Sequence, residues 1–176
     1  MPNWCNNELI ISGKKKDVEE FCEKVRGDDT VLDFNKISPY PKHFAKADAE
    51  AGKERKKGLK KYSEIKDGYN SGGYEWCCAN WGTKWNACNV IFEDRFNYNN
   101  YNEIGIYFRT AWDPPLPVIK KIIELFPKLG FDFQWGGGYE MRHRGVVSGK
   151  GGEITGEGYC QCHSLGLIDN NRRGKT

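Results

Sequence analysis

Long apolar runs are missing from this chain of 176 residues. The longest, around Val118-Ile119 and Ile122-Ile123, are broken by charge within a few positions, so no segment reads as a bilayer span or a secretory signal. The expectation is a cytoplasmic protein with no membrane association. A phosphate-binding glycine loop, a dinucleotide glycine motif and a nucleophile beside a partnered base are also missing. No cofactor is expected, and no catalytic residue can be named. Cysteine is present, but not as a disulfide framework: seven is an odd count and Cys77-Cys78 are neighbours, which suits reduced thiols buried as small hydrophobes.

The chain is 38% hydrophobic, enough for one domain with a sizeable core. Its net charge of +3 is unevenly spread: Lys42 to Lys66 holds nine Lys or Arg against four Asp or Glu. The positive field is therefore regional. Six Trp, nine Tyr and nine Phe make the chain 14% aromatic, a share that lets some rings serve recognition at a surface.

Asn7 to Ser12 reads as a strand stopped by Gly13. From Asp17 to Arg26, Val18, Phe21, Cys22 and Val25 fall at the spacing of one helix face. Val31 to Ile37 alternates Leu32 and Phe34 with polar residues, which predicts a strand or extended segment ended by Pro39 and Pro41. The hydrophilic block Lys42 to Asp67 has good helix propensity and a thin apolar stripe, the pattern of one or two solvent-exposed helices. Tyr74 to Trp81 reads as a short helix with Gly82 as its left-handed cap. Two strands follow, Asn89 to Phe96 and Glu103 to Trp112, joined by the turn-rich Asn97 to Asn102. In the second, Ile104, Ile106, Phe108, Thr110 and Trp112 share one face, and Tyr107 and Arg109 the other. A helix from Leu116 to Phe126 has an inner face that includes Leu125 and Phe126. Phe131, Phe133 and Trp135 alternate as a strand, and the glycine-rich Gly136 to Gly158 suits a hairpin extending the same sheet.

This order is the split β-α-β unit of ferredoxin-like folds: α+β, an antiparallel sheet with two helices on one face, a helical insertion after the first helix and a C-terminal hairpin extension. The name describes topology alone, since the thiolate spacings of an iron–sulfur cluster are lacking. The expected division is one domain over residues 1–159, with an inserted segment at 38–86, and a tail at 160–176.

Three stretches, MPNWCNNELIISG, WCCANWGTKWNA and TAWDPPLPVIKKIIELFPKLGFDF, together resemble the uncharacterised phage and plasmid proteins called Api-ninety-two-like, which carry a YubB-type ferredoxin-like domain. The resemblance runs over roughly residues 1–140 and departs at Gly136-Gly137-Gly138 and after Glu157. It implies this fold and an origin in mobile elements, and implies no activity.

Each candidate site has a structural reading beside the functional one. In Asn80 to Trp85, Asn80 and Lys84 offer polar groups beside the stacking faces of Trp81 and Trp85, a combination that holds a base; equally, both rings are core anchors at a helix-to-strand corner. Trp112 is expected in the core, and Asp113 as a helix N-cap. If the first strand lies beside Glu103 to Trp112, Trp4 packs with Trp85 or Trp112, and this aromatic cluster staples the N-terminus. Asn3, Asn6 and Asn7 would then satisfy backbone groups around it. Cys160, Cys162 and His163 are zinc-competent types at a poor spacing, so no metal is expected. Glu140, Arg142 and Arg144 share one strand face, with His143 on the other, an arrangement of cross-strand ion pairs more than of catalysis. Lys53, Arg55, Lys56, Lys57, Lys60 and Lys61 form either an exposed helix face or a nucleic-acid footprint.

The leading expectation is a noncatalytic binding module for nucleic acid, using the basic insertion and the sheet face with Tyr107 and Arg109. The alternatives are a module binding a host or phage protein, and an enzyme acting on a nucleotide near Asn80, Lys84, Glu140 and Arg142. Oligomeric state is not legible.

Overall fold

The computed structural model describes residues 3–58, 65–137 and 143–161. Lys60, Lys61, Glu140, Arg142, Cys162 and His163 lie outside the described residues.

Six strands form one antiparallel sheet in the order β2-β3-β1-β4-β5-β6. They are β1 (Trp4–Lys14), β2 (Cys88–Tyr98), β3 (Tyr101–Ala111), β4 (Gly130–Gly137), β5 (His143–Lys150) and β6 (Glu153–Gln161). The first four, with α1 (Lys15–Val25) after β1 and α5 (Leu116–Leu125) after β3, make the ferredoxin-like unit; α2 (Phe34–Ile37), α3 (Lys42–Lys57) and α4 (Gly73–Trp81) lie between α1 and β2. One face of the sheet is covered. Val18, Phe21 and Val25 of α1 and Val118, Ile119, Ile122 and Ile123 of α5 are buried in the same core as Leu9, Ile11, Ile106, Phe131 and Phe133. At about 25 cal/mol per Å² of apolar surface removed from water, burial on this scale is what holds the two layers together.

The segment Val31 to Ile37 is not a strand. Asp33 accepts a hydrogen bond from the Asn35 amide at 2.9 Å, and the Asn86 side chain accepts one from the Phe34 amide at 2.9 Å. These capping contacts start a helical turn, and Phe34 and Ile37, three apart, both turn inward. Phe34 meets Trp81 and Phe108 edge-on, each at 6.0 Å between centroids. The inserted helices thus contribute to the main core.

Three further expectations fail at the ends of elements. Strand β3 stops at Ala111, and Trp112 has φ of 77°, a left-handed backbone that swings its ring off the apolar face. Asp113 caps nothing, because α5 starts with Pro115 at its N-cap and no side-chain cap bond. Leu125 is exposed, since α5 ends there and the chain leaves the core. The β2–β3 connection is tighter than the sequence suggested: Asn99 and Asn100, with φ of 46° and 64°, make a two-residue hairpin turn of the kind that requires positive φ at both centres.

The glycines of β5 have a packing role. A Cβ on Gly145 would run into the Trp135 ring, and one on Gly149 into Ile123. Without side chains there, ring and helix lie directly on the strand.

Candidate functional site

Helix α4 ends at Gly82, whose φ of 78° forms the left-handed cap and whose amide donates to the Cys78 carbonyl. Its missing side chain also admits Pro117, since a Cβ there would sit 2.6 Å from the proline Cδ. The chain is then pinned to the end of β3 by the Thr83 hydroxyl, which donates to the Ala111 carbonyl at 2.9 Å. The Tyr69 hydroxyl donates to the Lys84 carbonyl at 3.2 Å. Lys84 and Trp85 are thereby carried to where β1 begins and β3 ends.

There the Lys84 ammonium lies 3.7 Å from the centroid of Trp112 and 4.4 Å from that of Trp85. It is a cation held against two indoles, a geometry worth about 0.5–2 kcal/mol per contact. Trp4 adds a third ring, 6.4 Å from Trp85. Trp85 is 40% and Trp112 36% exposed. The cluster is therefore a surface feature, which corrects the expectation of Trp85 and Trp112 as core anchors. Trp81 is a core anchor: it is buried and its indole donates to the Ser38 carbonyl at 2.8 Å. Asn80 is turned back on its own helix, donating to the Trp76 carbonyl at 2.9 Å. Of the four residues grouped from the sequence, Lys84 and Trp85 share a surface, while Trp81 and Asn80 point elsewhere.

The N-terminus is tied down by backbone as well as by its ring. Trp4 pairs with Ala111 in the β1–β3 ladder, and the Trp112 amide donates to the Asn3 carbonyl at 2.9 Å. Asn7 is buried and its side-chain amide donates to the Cys5 carbonyl at 3.1 Å and to Thr110 Oγ1 at 2.9 Å. Asn6 is exposed.

The uncovered sheet face carries a network that the sequence did not announce. Arg95 donates to Glu8 and to the Tyr107 hydroxyl, each at 3.0 Å, while that hydroxyl donates to Glu93 at 2.9 Å. Arg95 occupies an extra position in β2, between Asp94 and Phe96, where the ladder shifts register. The bulge aims its side chain across β3 to β1. The hydrogen bond to Glu93, then desolvation, raises the Tyr107 phenol above its usual range. Tyr107 is thus held by its hydroxyl, with the Arg95 guanidinium 6.0 Å from its ring centroid, while Arg109 on the same face is exposed.

In the insertion, Lys53, Lys56 and Lys57 are exposed. Arg55 is not part of that solvent-facing row: it forms an ion pair with the buried Asp67. Asp67 also accepts from the Asn70 amide, the leading reason its carboxyl sits below the usual range. Arg55 therefore clamps the end of α3 to the following turn.

Burial pushes the Cys5 thiol up to about 12 and the Cys77 thiol up to about 11, away from the thiolate that nucleophilic or metal chemistry needs. No cluster of three or more metal-competent side chains occurs among the described residues. No helix among them is long and apolar enough to cross a membrane.

Sequence reasoning also passed over Lys14, Lys128 and Lys150, which the sheet brings to one groove. For Lys14 and Lys150 the one signal was a glycine just before each, Gly13-Lys14 and Gly149-Lys150; Lys128 had none.

No curated protein matches the sequence. Among solved structures, a crystal structure of the protein api92 from Yersinia pseudotuberculosis is similar, with a TM-score of 0.55 at 11% identity, covering 94% of this chain and 100% of that one; at that identity the likeness concerns the fold. A family model described as the ferredoxin-like domain in Api92-like protein matches residues 80–172. That range includes the glycine-rich C-terminal strands, where the sequence motifs had suggested a departure, and it leaves out the N-terminal motif. With more than half its length in that match, the chain belongs to the family of the ferredoxin-like domain in Api92-like protein.

Proposed function

We propose that the protein is a noncatalytic module that binds single-stranded nucleic acid, with the surface around Lys84, Trp85 and Trp112 as its base-stacking platform. One observation carries this reading: two indoles, each more than a third exposed, flank a lysine ammonium at 3.7 and 4.4 Å. Aromatic faces beside positive charge are how sequence-tolerant single-strand binders work, because every base has a π-face and every nucleotide a phosphate. A base stacked on an outer ring face would bring its phosphate within reach of Lys84. Arg109, exposed on the neighbouring strand, extends the positive surface. Phage or plasmid origin, YubB type and a cytoplasmic setting belong to the same proposal, on the strength of the sequence motifs. So does the division into one unit over 1–159 with a tail, which Phe34 and Trp81 support by packing against the sheet's core.

The test is fluorescence anisotropy with labelled DNA and RNA oligomers. Replacing Trp85 and Trp112 with alanine should weaken binding by about 1–3 kcal/mol per stacked base while the fold is retained, both rings being partly exposed. Wild-type binding no tighter than about 100 μM at low salt, weaker than most nonspecific DNA binding, would end this reading.

A second reading, a module for a host or phage protein, is favoured by the edge strand β2. Ile91 is 63% and Tyr98 64% exposed, with Phe92 and Phe96 beside them, an apolar strip of the sort that interfaces cover. Binding to a protein partner through that strip would survive nuclease treatment and show little dependence on salt.

A further inference from the structure

The opposite end of the open sheet face holds a groove of about 440 Å³. Strand β1 runs from Trp4 to Lys14, so at about 3.3 Å per residue the groove lies about 33 Å from the tryptophans. Across the sheet, Ser12 pairs with Gly130, which pairs with Lys150. Gly130 contributes no side chain between them, and the Ser12 hydroxyl lies 2.9 Å from where its Cβ would be, so glycine and serine make the floor. Lys14, paired with Tyr101, Lys128, just before β4, and Lys150 border it. Asp132 is the one carboxylate in the lining, and its Oδ1 is occupied by the Ser148 hydroxyl at 2.6 Å.

The charges here differ from several other cations of the molecule. Lys24, Arg55, Arg95 and Lys120 each have a carboxylate within 3.1 Å. Among the described residues Lys14 and Lys150 have no ion-pair partner, and Lys128 reaches Asp17 only at 3.7 Å with its side chain 75% exposed. Helix α1 also starts at this end, and Asp17 in its first turn meets the positive end of its dipole. Two ammonium groups without an ion-pair partner, a third 3.7 Å from Asp17, a floor of Gly130 and Ser12 and a tyrosine 45% exposed fit a phosphate group with its sugar and base nearby.

We propose that this groove binds the phosphodiester backbone of a single-stranded nucleic acid. The inference rests on the nucleic-acid reading and extends it: the strand leaves the tryptophan platform and is held at the far end of the sheet by Lys14, Lys128 and Lys150. Between the two places Arg95 lies 3.0 Å from Glu8 and 3.8 Å from Glu93 and offsets one of their two negative charges.

The experiment measures binding of a labelled oligothymidylate from about 50 to 200 mM salt, a range over which phosphate contacts are resolved. It uses the full chain and a triple variant, Lys14→Gln, Lys128→Gln and Lys150→Gln. With about 0.7 of slope per phosphate on single strands, the log–log slope should shrink by about 2 in this variant. Lys53→Gln, Lys56→Gln and Lys57→Gln together should leave it unchanged. An unchanged slope in the groove variant overturns the groove proposal, and the nucleic-acid reading survives if the tryptophan variant still loses affinity. A second arm titrates inorganic tripolyphosphate by calorimetry. Binding that disappears in the groove variant, with no oligonucleotide binding by the wild type, keeps the phosphate site and overturns its nucleic-acid occupant. Binding of neither probe overturns both. Equal melting temperatures for all variants, expected for exposed lysines, exclude unfolding as the cause.

Discussion

The two faces of the sheet are built from the same strands by different physics. Along β3, Ile104, Ile106 and Phe108 are buried under the helices, while Glu103, Tyr107 and Arg109 alternate with them on the uncovered side. On the covered face, position is set by volume, and almost any apolar residue of the right size would announce itself by its period of two. On the open face it is set by pairs of polar groups, and a pair is invisible until the fold brings its members together. The covered face makes the protein stable; the open face is where the proposed binding would sit.

The contrast can be broken by mutation. Phe133 is fully buried and stacked between Phe108 at 6.4 Å and Trp135 at 5.4 Å. Phe133→Ala should cost about 3–5 kcal/mol, read from the denaturant midpoint at constant slope; a cost below 1 kcal/mol would mean the helical layer is not what stabilises the sheet. Asn7→Ala should cost about 1–3 kcal/mol, because it removes the amide that donates to the Cys5 carbonyl and to Thr110 inside a buried site, Thr110 keeping only the bond it donates to the Asp113 carbonyl. Rescue by Asp or Ser at this position is not expected, since neither supplies two amide donors. The smallest effect belongs to the open face. Tyr107→Phe should change stability by at most about 1 kcal/mol, as partly exposed ionic networks do.

Tyr107 also sharpens the contrast through pH. Its phenol is raised in the folded protein by the Glu93 hydrogen bond and by desolvation, so the proton is held more tightly folded than unfolded. The stabilisation is complete below the ordinary phenol range and is lost as pH rises through the folded value. Ultraviolet difference titration of wild type against Tyr107→Phe should show that the phenol lost in the variant ionises above the ordinary phenol range, and a difference at the ordinary value would count against the network.

What was legible in the sequence follows the same division. Helix α1 and strand β3 were readable because Val18, Phe21 and Val25 and then Ile104, Ile106 and Phe108 repeat at the period of their elements, and the core they enter rewards that repeat. Gly82 was readable because a left-handed cap has few occupants. Phe34 was misread: Leu32, Phe34 and the polar residues between them alternate as a strand does, while the capping partner Asn86 lies 52 positions away. Trp112 was misread because one positive φ after Ala111 ends an alternation that the letters continue. The Arg95 network joins positions 87 apart to positions 12 apart, and no local pattern carries such a pairing. The lysines of the groove come from three separate strand ends, so only the register of β1, β4 and β5 shows them as neighbours.

The bulge at Arg95 has a bearing on how the molecule behaves at high concentration. Strand β2 is eleven residues long and stands at an edge of the sheet, with Ile91, Phe92, Phe96 and Tyr98 exposed along it. A straight edge of that length and composition would template another strand and start a fibre. Two interruptions of the ladder, between Cys88 and Ile91 and between Asp94 and Phe96, break the row of free amides into pieces too short for continuous pairing. Glu93, Asp94 and Arg95 place charge at its middle. The residue that ties the open face together is thus also one that interrupts this edge.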